Sequence, residues 1–138
     1  LVRDEMRCVR GLVMWKVALI GVGGFIGAIA RYGVGGLVHR WYSGAFPWGT
    51  MIVNLAGCLA LGYLATLSED YGAFRPETRL FLFIGVLGGF TTFSTFGLET
   101  FSLLREGNLH WALANAGGNV VLGVCGVWLG HMVARMLG

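Results

Sequence analysis

Four hydroxyl side chains, Thr91, Thr92, Ser94 and Thr95, fall within five positions of an apolar run from Leu80 to Leu104. They follow the pair Gly88-Gly89 and alternate with Phe90, Phe93 and Phe96. In hydrocarbon a polar group without a partner is expensive, so a cluster of this kind survives only where it is buried in protein or lines a cavity. A helix interrupted there would expose free amides and carbonyls, the groups with which half-helix ends hold small ions.

The other polar side chains inside apolar runs are Arg31, Asn54, Asn115 and Asn119. The acids lie in the first residues, in the connection from Ser68 to Arg79, or near the ends of apolar runs. A path built from these groups is rich in neutral donors and holds one cation, which favours an anion over a cation as its occupant. Phe93 and Phe96, three apart, project from one side of a helix, and aromatic ring edges carry partial positive charge. Plain core packing is the competing reading for this pair. Asn54 can staple helices together or point its amide hydrogens at a passing ion, and Arg31 can snorkel to an interface or line an aqueous vestibule. Glu99 resembles an intramembrane acid, but it lies six residues before Arg105, so a place near the interface is expected. Catalysis has no candidate triad, no carboxylate pair, no phosphate loop and no metal-ligand cluster to work with.

The elements that must position these residues follow from composition. With 138 residues, 56% hydrophobic and 12% charged, and a mean hydropathy of +0.71, the chain has the balance of a membrane protein. A helix needs about 20 apolar residues to cross the bilayer, and four such spans are expected, at about 14–38, 49–67, 79–104 and 109–136. They leave no room for a soluble catalytic domain. The 24 glycines suit helices whose backbones approach closely. Residues 1–13 are charged without periodicity and are read as an unstructured or extraneous tail, with Met14 a possible natural start. The formal charge of +3 comes in part from Arg3, Arg7 and Arg10 and suits lipid headgroups, not nucleic acid. Cys8, Cys58 and Cys125 are read as small buried hydrophobes. His39, His110 and His131 form no metal or haem pair and are read as interfacial.

In the first span Gly23 and Gly27, with Gly24 and Ala28 beside them, give the small-xxx-small pattern of a close helix crossing. A dinucleotide fingerprint fails there, because its third glycine would fall on Ile26. In the second span Thr50, Asn54, Gly57, Cys58 and Leu61 share one face. In the fourth, Asn115, Asn119, Gly123, Gly126 and Gly130 form one stripe along which a partner backbone can lie.

Gly24-Phe25-Ile26-Gly27-Ala28 with Arg31-Tyr32, then Gly49 to Gly57 around Asn54, then Gly88 to Phe96 resemble the three signatures of the CrcB/Fluc fluoride channel family. The resemblance runs from about Met14 to the C-terminus. It implies an all-α protein of the bacterial inner membrane with four transmembrane helices, the third broken mid-membrane, assembled as an antiparallel, dual-topology homodimer that encloses two fluoride pores. By motif position Phe93 and Phe96 would form the aromatic box, Asn54 would donate to fluoride, Ser94 and Thr95 would be pore-side hydroxyls and Arg31 the vestibule arginine. Carbonyls of Gly88 and Thr91 from both protomers would hold a structural sodium ion (Na+), as hard oxygen ligands would allow. Asn115 and Asn119 stand where many relatives have Tyr or Ser. The implied function is passive export of fluoride, with no protein partner beyond a second copy. A small multidrug/proton antiporter would need an acid deep in the first span, where this chain has Arg31. A non-transporting anchor subunit would leave the hydroxyl cluster unexplained.

Overall fold

The computed structural model describes the backbone from Val2 to Gly138; the side chains of residues 2–5 and 7–9, like Leu1, lie outside the described residues. The order of elements is α1 (Val2–Trp41), α2 (Trp48–Glu69), α3 (Pro76–Arg79), a π-helical stretch (Leu80–Leu87), α4 (Gly88–Phe90), α5 (Phe93–Arg105) and α6 (Leu109–Leu137). Four helical segments are long and apolar enough to cross a membrane: Arg10–Trp41, Trp48–Glu69, Pro76–Arg105 and Leu109–Leu137. The third runs from α3 through α5.

The expected tail at 1–13 differs from what is found. Helix α1 runs back to Val2 without a boundary at Met14, since residues 2–13 hold no proline to stop it. Leu1 remains outside the described residues.

Two close seams organise the bundle. Along the first, α1 lies on the π-helical stretch and α4. A Cβ built on Gly23 would sit 2.6 Å from the Phe81 carbonyl oxygen, one on Gly89 would sit 2.6 Å from the Gly24 carbonyl oxygen, and one on Gly27 would strike the Val86 carbonyl. The second joins α2 to α6, the most extensive packing in the molecule. Gly62 faces the Val127 backbone, while Gly130 faces the Leu59 carbonyl and the Tyr63 amide. Both seams use the glycines whose spacing suggested them. On α6, Asn115, Gly123, Gly126 and Gly130 are all buried.

Connections are short. Phe46, in the loop before α2, is 6% exposed and packs between Trp48 at 4.6 Å and Trp111 at 5.3 Å. Pro76 opens α3 at a position where no intrahelical N–H is needed, with Glu77 in the first turn. Gly107, at φ 75°, makes the turn from α5 to α6 in a conformation that other residues rarely adopt. Two of the cysteines depart from expectation, Cys58 being half-buried and Cys125 exposed, both free; the Cys8 side chain lies outside the described residues.

Candidate functional site: a gripped gap in the third helix

The helix stops at Phe90. Thr91 (φ −80°, ψ 159°) and Thr92 (φ −150°, ψ 119°) are extended, and α5 begins at Phe93. Thr92 is the N-cap of α5, its hydroxyl accepting from the Thr95 N–H at 3.3 Å. Two consecutive extended residues release the carbonyls and amides that helix would have paired, and other helices take up part of the load.

Asn54, on α2, does most of this. Its Oδ1 accepts the Thr92 N–H at 2.9 Å and its Nδ2 donates to the Thr92 carbonyl at 3.1 Å. The second Nδ2 hydrogen goes to Asn119 Oδ1 at 3.0 Å. Both amide hydrogens are therefore engaged within the chain. Asn119 donates in turn to Asn115 Oδ1 at 2.9 Å and to the Asn115 carbonyl at 3.0 Å. Asn115 is 0% exposed and donates to Thr100 Oγ1 at 2.9 Å, which donates to the Phe96 carbonyl at 2.8 Å. A continuous amide and hydroxyl chain thus links the gap to the first turns of α5.

Two cavities flank the gap. One, of about 440 Å³, is lined by Asn54, Cys58, Gly88, Thr91, Thr92, Asn119 and the rings of Phe83, Phe93 and Phe96. Phe93 and Phe96 stand 5.4 Å apart at 54°. Phe96 is half-buried, whereas Phe93 is 83% exposed. The other cavity, of about 420 Å³, is lined by Arg31, His39, Thr50, Thr92, Thr95 and Glu99, together with the Gly44 to Pro47 loop. Arg31 Nη1 donates to the Thr91 carbonyl at 3.3 Å.

The eight side chains singled out from the sequence are distributed as follows. Asn54, Phe93, Phe96 and Asn119 meet at the first cavity; Arg31 and Thr95 line the second. Ser94 is exposed, its hydroxyl 3.5 Å from that of Thr92. Asn115 is sealed behind Asn119. Of the two carbonyl donors, Gly88 and Thr91 both border the first cavity. The Thr92 N–H that would close a helical bond on the Gly88 carbonyl turns instead to Asn54 Oδ1. The carbonyl of Thr91 keeps one lone pair beyond the one Arg31 uses.

Three residues gain importance that sequence reading did not give them. Thr92 is both cap and gripped peptide. Its signal was local: Thr92-Phe93-Ser94-Thr95 has a hydroxyl at the N-cap and another three residues on. Thr50 and Glu99 form a pair across α2 and α5, with Thr50 Oγ1 donating to Glu99 Oε1 at 2.7 Å. Glu99 Oε2 is buried without a hydrogen-bond partner, and the side chain forms part of the wall of the second cavity. Only tertiary structure could pair them, since they are 49 residues apart. Among the described residues no group of three or more His, Cys, Asp or Glu is placed to hold a metal.

The profile of the family described as "CrcB-like protein, Camphor Resistance (CrcB)" matches residues 18–131. The chain belongs to the CrcB-like family. Among curated relatives, the "Fluoride-specific ion channel FluC" of Nitratidesulfovibrio vulgaris (strain Miyazaki F) is 42% identical over 124 residues, 90% of this chain and 100% of that one. The protein of the same name from Methylobacillus flagellatus is 45% identical, covering 89% of this chain and 97% of its own. "Fluoride-specific ion channel FluC 1" of Methanosarcina acetivorans is 44% identical over 90% of this chain and 94% of its own. The CrcB-like chain is thus a member of an ion-channel family and not an enzyme. With its four spans it is a multi-pass protein of the bacterial inner membrane.

Proposed function

We propose that this CrcB-like protein is a fluoride-selective channel that lets the ion leave the cytoplasm passively, with the gap at Thr91-Thr92 lying at mid-membrane depth. The observation that carries this reading is the clustering of the Phe93 and Phe96 rings with Asn54 and Asn119 around one cavity beside that gap. Ring edges and amide hydrogens stabilise a small dehydrated anion, and close spacing penalises a larger one. Arg31 in the adjoining cavity raises the local concentration of anions. Fluoride that enters as neutral HF from acid surroundings ionises in a more alkaline cytoplasm, and the ion is then driven out by the membrane potential.

Because Asn54 spends both amide hydrogens on Thr92 and Asn119, its donation to fluoride requires one of these bonds to yield to the ion. The Ser94 and Thr95 hydroxyls would supply further donors along the route, and Asn115 would act through Asn119.

The working assembly in this reading is an antiparallel homodimer inserted in both orientations. Phe93 at 83% exposure and the open side of its cavity are surfaces that a second copy would cover. Where two gaps meet, the carbonyls of Gly88 and Thr91 from both copies would hold Na+. The fit is chemical: hard oxygen donors, freed from helical pairing by the extended Thr91 and Thr92, with no thiolate or imidazole in the set. Bound there, Na+ would fix the crossing of the two chains by charge alone.

Efflux of fluoride from liposomes holding the purified protein tests the reading, with chloride-loaded liposomes as control. Rapid fluoride release with chloride retained is the expected result. Equal release of both ions, or of neither, overturns it.

A further inference from the structure

At the N-terminal end of α1, on the far side of Phe83 from the aromatic cavity, a groove of about 640 Å³ opens between α1, α2 and the α3 to π-helical segment. Its rim carries Lys16 from α1, Glu69 from the last turn of α2 and Arg79 from α3. Its walls are apolar. On α2, positions 69, 65 and 61 recur every four residues and so descend one face of the helix; eight residues of helix rise about 12 Å. The opposite wall descends through Leu80 and Ile84, the latter 56% exposed. Phe74 closes the side, its ring edge-on to Phe83 at 6.5 Å. The groove is therefore charged at one end and apolar along its walls, a polarity profile that would suit an amphiphile standing in one leaflet.

We propose that this groove binds an anionic glycerophospholipid of the phosphatidylglycerol type. Its phosphodiester lies between Lys16 and Arg79, and one acyl chain follows the wall of Ala65, Leu80 and Ile84. Two cations from different helices outweigh the single carboxylate, which selects for negative charge at the rim. The guanidinium of Arg79 offers paired donors that match phosphate oxygens, and Lys16 reaches the same level on a flexible apolar stem. Glu69 accepts from a hydroxyl on the headgroup, which favours a glycerol head over one that adds only negative charge. The Leu61 and Phe83 side chains line both this groove and the aromatic cavity, so a bound chain packs against the outer side of the wall that faces Phe93 and Phe96.

Native mass spectrometry of the purified, assembled protein in detergent tests the proposal. Phosphatidylglycerol and phosphatidylethanolamine are added at equal concentration, with glycerol phosphate as the free-headgroup control. The expected result is one retained phosphatidylglycerol per chain, weaker retention of phosphatidylethanolamine and none of glycerol phosphate. The double variant Lys16→Gln, Arg79→Gln lowers retention about tenfold, as loss of charge-assisted phosphate contacts implies. Ala65→Phe, which fills the groove and keeps both cations, does the same. Size-exclusion elution and fluoride efflux of each variant report that assembly is intact. Equal retention of the two lipids, retention unchanged in both variants, or binding of glycerol phosphate alone overturns the proposal. So does a structure of the assembled protein with side chains of a second copy seated in the groove.

Discussion

Asn54 holds the Thr92 peptide by both of its polar groups, with the N–H at 2.9 Å from Oδ1 and the carbonyl at 3.1 Å from Nδ2. A side-chain amide accepts and donates side by side in one plane, as a neighbouring strand would. It replaces the helical bonds that Thr92 gives up.

Replacing this residue should therefore cost more than a packing contact. Asn54→Ala leaves the half-buried N–H and carbonyl of Thr92 without their partners, at up to about 1–3 kcal/mol each. The expected outcome is a lower unfolding midpoint in detergent together with loss of fluoride efflux; Asn54→Asp, whose carboxylate would face the Thr92 carbonyl and Asn119 Oδ1 and repel an anion, should do no better. Efflux and midpoint both within error of wild type in Asn54→Ala would show that the grip is dispensable.

The aromatic pair allows a sharper separation of transport from folding. Phe93 is 83% exposed and Phe96 half-buried, so Phe93→Ile and Phe96→Ile remove little packing from a single chain. Each should lower fluoride efflux by about tenfold or more, the loss of roughly 1.4 kcal/mol of ion stabilisation, while size-exclusion elution is unchanged. Unaltered efflux in both would remove the ring-edge argument.

The glycine seams make a prediction about assembly of the bundle itself. A Cβ at Gly27 strikes the Val86 carbonyl and lies 2.8 Å from the Phe90 amide, whereas Gly33 and Gly36 on the same helix have nothing within 4 Å. Gly27→Ala should destabilise by about 1–3 kcal/mol, as overpacking does. Gly33→Ala and Gly36→Ala should be neutral or stabilising through helix propensity. Thermal unfolding of the three proteins in one detergent checks this; a Gly27→Ala midpoint equal to the other two would contradict the close crossing.

Thr92 caps α5 as well as being gripped. Thr92→Ala should cost about 1 kcal/mol from the lost cap, and Thr92→Ser, which retains the hydroxyl, should restore most of it. If serine and alanine behave alike in unfolding and in efflux, the hydroxyl has no role at the gap.

How much of this was legible beforehand depends on the range of the signal. The spans and both seams were, because apolar length and glycine spacing are properties of a single segment: Gly23 with Gly27, and the stripe from Asn115 to Gly130, pack where their spacing put them. The partners of polar side chains were not. Asn54 faces Thr92 across 38 residues of sequence and Asn119 across 65, and no periodicity within α2 distinguishes an amide that grips backbone from one that offers its hydrogens to an ion. The same holds for Glu99, whose register on α5 brings it to Thr50 across 49 residues and onto the cavity wall. The helical start at Val2 was missed because charge without periodicity says how a segment is solvated, and its backbone is free to continue a helix already nucleated in the adjoining span.

The two cavities flanking the gap have Thr92 alone in common. Where the two approach each other at that residue, a side-chain rotation or a shift of a single peptide would suffice to join them, on the timescale of local jostling and with the helices around them at rest.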